Sequence, residues 1–330
     1  MRAVVTTDFG SAPVFTEVDT PTAGPGEIRV AVRASSLNGF DLALTRGWFR
    51  GMLEHQFPVV LGRDFAGVVD EVGDGVTTFA PGDEVFGVVP LAPLRIGGLG
   101  EYLVVSESDD VVKLPAGLDL TTAGALGLAG AAATGALDAI AAAPGETVLV
   151  VGATGGVGAV AVQRLAASGV TVVATAHGDA EADHVRDLGA HHIVDHAGDL
   201  AAQVRAIAAD GVVAALHLAG DPVAVADLVA PGGRLATLLL IDPSPFAGHD
   251  LTAHCVIAQP RKPLLETLGA DTAAGHLRIP IQREYALPDA PGPSPTSPPA
   301  PWANCPSRCP DHRPTSCSGG LWRQSAGIWA

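Results

Sequence analysis

The chain has 330 residues, a length that suits two domains, and its apolar fraction of 48% is enough for sizeable cores. Its formal net charge of −16 argues against a nucleic-acid or membrane-surface partner, since both call for basic patches.

Residues 1 to about 120 read as mostly β. The segment 27–34, EIRVAVRA, alternates as a half-buried strand does, and 65–72, FAGVVDEV, is a second strand. Gly73, Gly75, Pro81 and Gly82 mark the turns around it. From about 121 to 255 the rhythm changes to alternating strand and helix, which implies a parallel sheet. Strands are expected to start at Thr147, Val170, His192, Val212 and Arg234, with Pro231, Gly232 and Gly233 as a tight turn before the last. Segments within 256–290 are shorter and mixed.

The most informative stretch is 144–163, PGETVLVVGATGGVGAVAVQ. A β-branched run at 147–151 reads as a buried parallel strand, and from Val157 the chain reads as a small-residue helix. Between them lie Gly152, Ala153, Thr154, Gly155 and Gly156, and Gly158 follows inside the helix. Glycine lets the backbone turn sharply and lets a diphosphate come close. The helix start then offers unpaired N–H groups and a positive dipole end to that anion. Strand, glycine turn and helix in register point to a dinucleotide.

A second strand follows at 170–176, VTVVATA. An NAD site carries an acidic residue near the end of this strand, on the ribose 2′-OH. Here the place falls to Ala176, followed by His177. No carboxylate there opposes a 2′-phosphate, so the residues lean to NADPH, with NADH left open by Asp179 and Glu181 just beyond.

Only Cys255 lies in the body of the chain; Cys305, Cys309 and Cys317 crowd near the C-terminus. That usage suits a reducing cytoplasm and no disulfide framework. No secretory leader is expected, and no apolar stretch free of turn residues is long enough to span a bilayer.

Several further motifs run in one unbroken order: SLNGFDLALTRG at 36–47, LGRDFAGVVDEVG at 61–73, FAPGDEVFG at 79–87 and GGLGEYLVV at 97–105. KLPAGLDLTTAGAL at 113–126, the glycine turn and APGGRLATL at 230–238 complete the series. On these motifs residues 1 to about 290 resemble a zinc-independent medium-chain dehydrogenase/reductase of the quinone oxidoreductase (zeta-crystallin-like) group. The resemblance implies an α/β protein: a GroES-like, β-rich catalytic domain and a Rossmann domain with a doubly wound parallel sheet. The expected boundaries are 1–120 for the catalytic domain, 121–255 for the cofactor domain and 256–290 for a return to the catalytic domain. It further implies reduction of a quinone, enone or similar electron-poor acceptor with NADPH, in a homodimer.

Zinc alcohol dehydrogenases of the wider superfamily use a Cys, a Gly-His-Glu unit and a further Cys or Asp. Here Asn38 stands at the Cys place, and Gly62, Arg63 and Asp64 at the Gly-His-Glu place. A protonated guanidinium cannot bind zinc, so no metal is expected.

For catalysis the resemblance points to Asn38, which matches the Asn of S-L-N-P-x-D, and to Asp41 of the same motif. Asn38 would bond the acceptor carbonyl or the nicotinamide; its other reading is a loop residue bonding its own backbone. Asp41 reads equally as a turn or cap residue. Arg63 offers a cation to the developing oxyanion, or pairs with Asp64 or Asp41. Phe49 replaces a frequent Tyr and removes a hydroxyl donor. For the cofactor, the resemblance adds Thr134 toward the nicotinamide ribose, Gly152 through Val157 and Gly158 around the diphosphate, His177 beside the adenosine ribose and His196 near the adenosine phosphate. The family's Lys for the 2′-phosphate falls near Glu181, of the wrong sign. The two histidines are then left to favour NADPH, and the preference should weaken as pH rises.

A rival reading keeps the cofactor and drops the turnover: a redox sensor or a decayed enzyme. The segment 291–330 is rich in Pro and Ser and without periodicity, and is expected to lack ordered structure. A shifted reading frame of its permitted codons allows a helix and a closing strand like the family's, as loss of one nucleotide near the Ala290 codon would produce.

Overall fold

The structure is a computed structural model describing residues 1–290 and the backbone of Gln324–Ala326. In chain order, β1 (Arg2–Thr6), β2 (Val14–Glu17), β3 (Glu27–Ala34), α1 (Gly39–Thr45), β4 (Val59–Val60), β5 (Asp64–Val72), β6 (Glu84–Val88), β7 (Tyr102–Ser106) and β8 (Val111–Lys113) form the β-rich part. The alternation of EIRVAVRA produces β3 with the bounds expected, and β5 starts one residue before its expected place. These strands make a five-stranded antiparallel sheet in the order β7-β3-β5-β6-β8 and a three-stranded one in the order β2-β1-β4. Ile28, Val30, Val32, Phe65 and Val85 fill the inner face of the larger sheet.

Two helices, α2 (Leu120–Ala123) and α3 (Gly127–Ile140), lead into the second sheet. It is built from β9 (Thr147–Val151), α4 (Gly156–Ala167), β10 (Thr171–Ala176), α5 (Gly178–Asp187), β11 (His192–Asp195), α6 (Leu200–Ile207), β12 (Val212–His217), α7 (Pro222–Ala226), β13 (Val229–Thr237) and β14 (Leu251–Cys255). All six strands are parallel, in the order β11-β10-β9-β12-β13-β14. That is the doubly wound arrangement, with the order reversing beside β9, where such sheets bind ligands at their carboxyl ends. Both faces are covered. Val148 and Val150 turn to the side of α3 and α4, while Leu149 and Val151 turn to the other.

Two expectations needed correction here. The last expected strand start, Arg234, lies inside β13, which begins at Val229 and runs through Pro231, Gly232 and Gly233. The glycines bend the strand instead of ending it: its pairing with β12 jumps from Val212–Val229 to Ala214–Arg234. A further strand, β14, lies beyond the five expected starts; its neighbour β13 supplies the ladder that a five-residue segment needs.

After the sheet come α8 (Lys262–Ala273) and β15 (Arg283–Tyr285). α8 packs on α3 and β8, and Leu287 joins Val4, Leu44 and Val59 in one apolar cluster. The expectation of no order beyond residue 290 falls mostly outside the described residues. It is corrected at one place: β16 (Gln324–Ala326) pairs antiparallel with β15. An edge strand offers unpaired backbone groups that any extended segment can satisfy.

One core joins the two sheets. Ala66, Phe86 and Val88 of the antiparallel sheet share a cluster with Leu126 and Ala133 of the α3 region and with Val148 and Val150 of the parallel sheet. Small residues let α3 sit close: a Cβ at Gly130 would stand 2.5 Å from Leu268 Cδ1 of α8.

Candidate active site

The catalytic candidates gather around the start of α1. Asn38 is its N-cap, with Oδ1 accepting from Phe40 N at 3.0 Å. Asp41 answers in the other direction, with Oδ2 accepting from Asn38 N at 3.0 Å. Its second oxygen, Oδ1, accepts from Gly62 N at 2.7 Å and so ties the helix start to the segment that carries Arg63. Asp41 therefore spends both oxygens on backbone donors. Asn38 does not spend its amide: the side chain is buried, yet Nδ2 has no hydrogen-bond partner among the described residues. A buried orphan donor is costly unless something else takes it up.

Gly39 opens this helix where the S-L-N-P-x-D motif has Pro. A Cβ there would meet nothing within 4 Å, and Asn38 before it is extended at φ −146° and ψ 177°, as a residue preceding Pro should be. Gly39→Pro is expected to raise stability by about 0.5–1 kcal/mol by restricting the unfolded chain. Urea unfolding measures it, and a lowered midpoint would show that the N–H of Gly39 matters.

Arg63 is almost fully buried, and burial lowers its pKa. Its Nε and Nη2 both donate to Val89 O, at 3.1 and 2.9 Å. The guanidinium lies over the Phe40 ring at 4.8 Å, and Phe40 stacks on Phe49 at 4.7 Å. The expected alternative of a direct ion pair with Asp64 or Asp41 is not formed among the described residues; the two carboxylates act on Arg63 only through their field.

Asp64 belongs to the site as well, although no local sequence pattern marks it. Its Oδ2 accepts from Ser36 Oγ at 2.5 Å and its Oδ1 from Leu128 N at 2.7 Å. Leu128 lies in the first turn of α3, so a carboxylate meets the positive end of that helix. Burial pushes both Asp41 and Asp64 up to about 6.

The glycine turn forms as expected. Gly152 leaves β9 at φ +88°, a conformation that favours glycine, and Gly155 caps α4 without a side chain. Ala153 and Val157 are buried beneath the turn. Gly158 meets the strand end so closely that a Cβ would fall 2.2 Å from Gly152 O. Gln282, from the chain beyond α8, donates to Thr154 O at 3.4 Å. Thr134, in mid-α3, donates its hydroxyl to Gly130 O at 2.8 Å, a bond within its own helix.

Beyond the end of β10, His177 is the N-cap of α5. Its Nδ1 bonds Asp195 Oδ1 at 2.9 Å, and its backbone N donates to Glu181 Oε2 at 2.8 Å. The His196 ring lies 5.7 Å from that of His177, and His196 Nε2 stands 3.9 Å from Glu181 Oε2. Asp195 was also missed in the sequence. It ends β11, and parallel pairing sets it level with Ala176 at the end of β10. Its bond to His177 raises the histidine pKa and lowers its own.

No three His, Cys, Asp or Glu side chains among the described residues come together as a metal-ligand set. No described helix is long and apolar enough to cross a membrane.

Comparison with known proteins agrees with this geometry. Residues 24–116 match the alcohol dehydrogenase GroES-like domain, and residues 156–245 match the family described as zinc-binding dehydrogenase. A chloroplastic quinone oxidoreductase of Triphysaria versicolor is 36% identical over 205 residues, covering 59% of this chain and 61% of the relative. A mitochondrial NAD(P)H oxidoreductase of Bos taurus is 35% identical over 199 residues, covering 55% of this chain and 49% of the relative. A mycocerosic acid synthase-like polyketide synthase of Mycobacterium tuberculosis is 36% identical over 230 residues, covering 67% of this chain but 10% of that much longer protein. The chain thus spans between a tenth and about three fifths of these relatives. Among solved structures, the quinone oxidoreductase of Coxiella burnetii superposes with a TM-score of 0.77 at 25% identity, over 87% of this chain and 92% of that one. With both domain types in order, the expected sheet topology and these relatives, the chain belongs to the medium-chain dehydrogenase/reductase family, in its quinone oxidoreductase-like group.

Proposed function

We propose that this protein is an NAD(P)H-dependent reductase that delivers hydride to a quinone, enone or similar electron-poor acceptor without zinc. The observation that carries the reading is the unpartnered, buried Asn38 amide, held in place by Asp41 in a molecule that also carries a glycine cradle at the end of β9. The cradle fits a dinucleotide. The α4 N-terminus has no side-chain cap, so its first amides are open to a diphosphate, and Gly158 keeps helix and strand end in contact. Gly152, Ala153, Thr154, Gly155, Gly156, Val157 and Gly158 would hold the diphosphate. Thr134 would approach the nicotinamide ribose as an acceptor, since its hydrogen is bound to Gly130 O. The chemistry such a cofactor supplies is hydride donation.

The chain's own residues do the rest. Asn38 Nδ2 donates to the acceptor carbonyl as negative charge grows on it, in a buried place where a hydrogen bond is worth more than in water. Asp41 positions Asn38. Arg63, fixed on Val89 O, adds positive potential and holds the Phe40–Phe49 stack as an apolar wall. Asn38 and Arg63 stand where zinc enzymes place Cys and His, and neither replaces those ligands. Zinc therefore does not fit, although one matching family is described by it. The reading extends to a cytoplasmic homodimer.

Following NADPH and NADH absorbance with a panel of quinones and enones tests this, before and after dialysis against a strong chelator. Turnover that survives the chelator is expected. Cofactor binding without turnover would favour the sensor reading, and activity restored by zinc alone would overturn the metal-free one. Asn38→Ser keeps a cap acceptor but removes the amide donor. It should lower kcat about 100-fold while costing about 1 kcal/mol or less of stability. An unchanged kcat in the variant would remove Asn38 from the chemistry.

A further inference from the structure

We propose that His177, Glu181, Asp195 and His196 form a proton-operated selector that admits the 2′-phosphate of NADPH when both imidazoles are charged and turns toward NADH when they are not. The inference rests on the dinucleotide reading above. It adds which groups choose between the two cofactors, and how.

The four side chains stand at the carboxyl ends of β10 and β11 and the first turns of α5, one strand away from the glycine cradle on β9. In such sheets the adenosine ribose lies at the end of the second strand. His177 and Asp195 are more than 45% exposed at their side chains, so the cluster faces solvent, not the core.

Charge decides the rest. The His177 imidazole bonds Asp195, the His177 backbone N donates to Glu181, and the His196 ring faces Glu181. Asp179 adds a further carboxylate in the first turn of α5. None of the four is bonded to or paired with Lys or Arg among the described residues; Arg186, farther along α5, pairs with Asp183. With both imidazoles protonated, the four groups sum to zero. With both neutral, two uncompensated carboxylates face the ribose. A dianionic 2′-phosphate is tolerated in the first state and repelled in the second. A ribose 2′-OH instead finds in Asp195 the acceptor that Ala176 cannot provide.

Isothermal titration of the full chain with NADPH and with NADH across pH tests this. The ratio of the two affinities should move toward NADPH by about tenfold from about pH 8 to about pH 6.5. The 2′-phosphate itself gains a proton at about pH 6, so two variants separate the protein's share. His177→Asn with His196→Asn leaves the carboxylates and should reduce the pH swing to about twofold, with NADPH weakened throughout. Asp195→Asn with Glu181→Gln keeps the acceptor oxygens and should tighten NADPH about tenfold at about pH 8, without a matching gain for NADH. A constant wild-type ratio, a histidine variant that keeps the full swing, or a carboxylate variant with an unchanged ratio each overturns the selector. Both nucleotides bound at a fixed ratio would leave the dinucleotide reading standing. Neither bound at any pH would overturn both.

Discussion

Gly158→Val should abolish measurable cofactor binding and lower stability by about 2–4 kcal/mol. The Cβ position at Gly158 lies 2.2 Å from Gly152 O, 2.6 Å from Ala153 Cα and 2.8 Å from Ala153 C. All three neighbours are backbone atoms of the turn, so no side-chain rotation relieves the clash. α4 must move off the end of β9, and its first amides move with it. Since those amides are the proposed diphosphate donors, the stability loss and the binding loss share one cause. Urea unfolding and a nucleotide titration report the two halves separately. A variant that binds NADPH normally would show that the α4 N-terminus is not the cradle.

The second large effect concerns the buried carboxylate that ties β5 to the start of α3. Asp64→Ala strands two donors, Leu128 N and Ser36 Oγ, and is expected to cost about 2–5 kcal/mol at every pH. Asp64→Asn should behave differently. Its oxygen still accepts from Leu128 N, and its amide can donate to the Ser36 hydroxyl. What changes is the pH dependence. Burial raises Asp64 from an ordinary 3.8 to about 6, so the folded state holds this proton more tightly than the unfolded chain. The resulting stabilisation is fully present below about 3.8 and is lost as pH rises through about 6, by up to about 3 kcal/mol. Asp41 adds a loss of the same sign in the same window. Asp64→Asn should therefore flatten the fall in stability between about pH 4 and about pH 7 without removing it. Urea midpoints across that range decide it, and an unaltered slope in the Asn variant would mean that Asp64 does not titrate there.

The local parts of this protein are legible in the residues themselves. β9, the glycine turn and α4 follow from a β-branched run, glycines and a small-residue helix within about twenty positions, all set by backbone sterics and period. β3 follows equally from its alternation. The catalytic candidates Asn38, Asp41 and Arg63 were also within reach, because a capping loop and its motif are short-range features. Their roles were not. That Asp41 spends both oxygens on Asn38 N and Gly62 N, and that Arg63 grips Val89 O instead of a carboxylate, depends on segments about 20 and 26 residues apart in sequence meeting in space.

The tertiary structure alone decided the remainder. Asp64 meets the start of α3 across 64 positions of chain, a contact that no local pattern encodes. Asp195 acquires its place beside His177 only because β11 pairs with β10 in a register that sets Asp195 opposite Ala176. The sequence determined the fold class and the glycine turn, since propensity, period and glycine geometry act over a few residues. The charge environment of each site was decided by packing. Burial and the approach of distant carboxylates set the protonation of Asp41, Asp64 and His177, and both exist only once the sheets have come together.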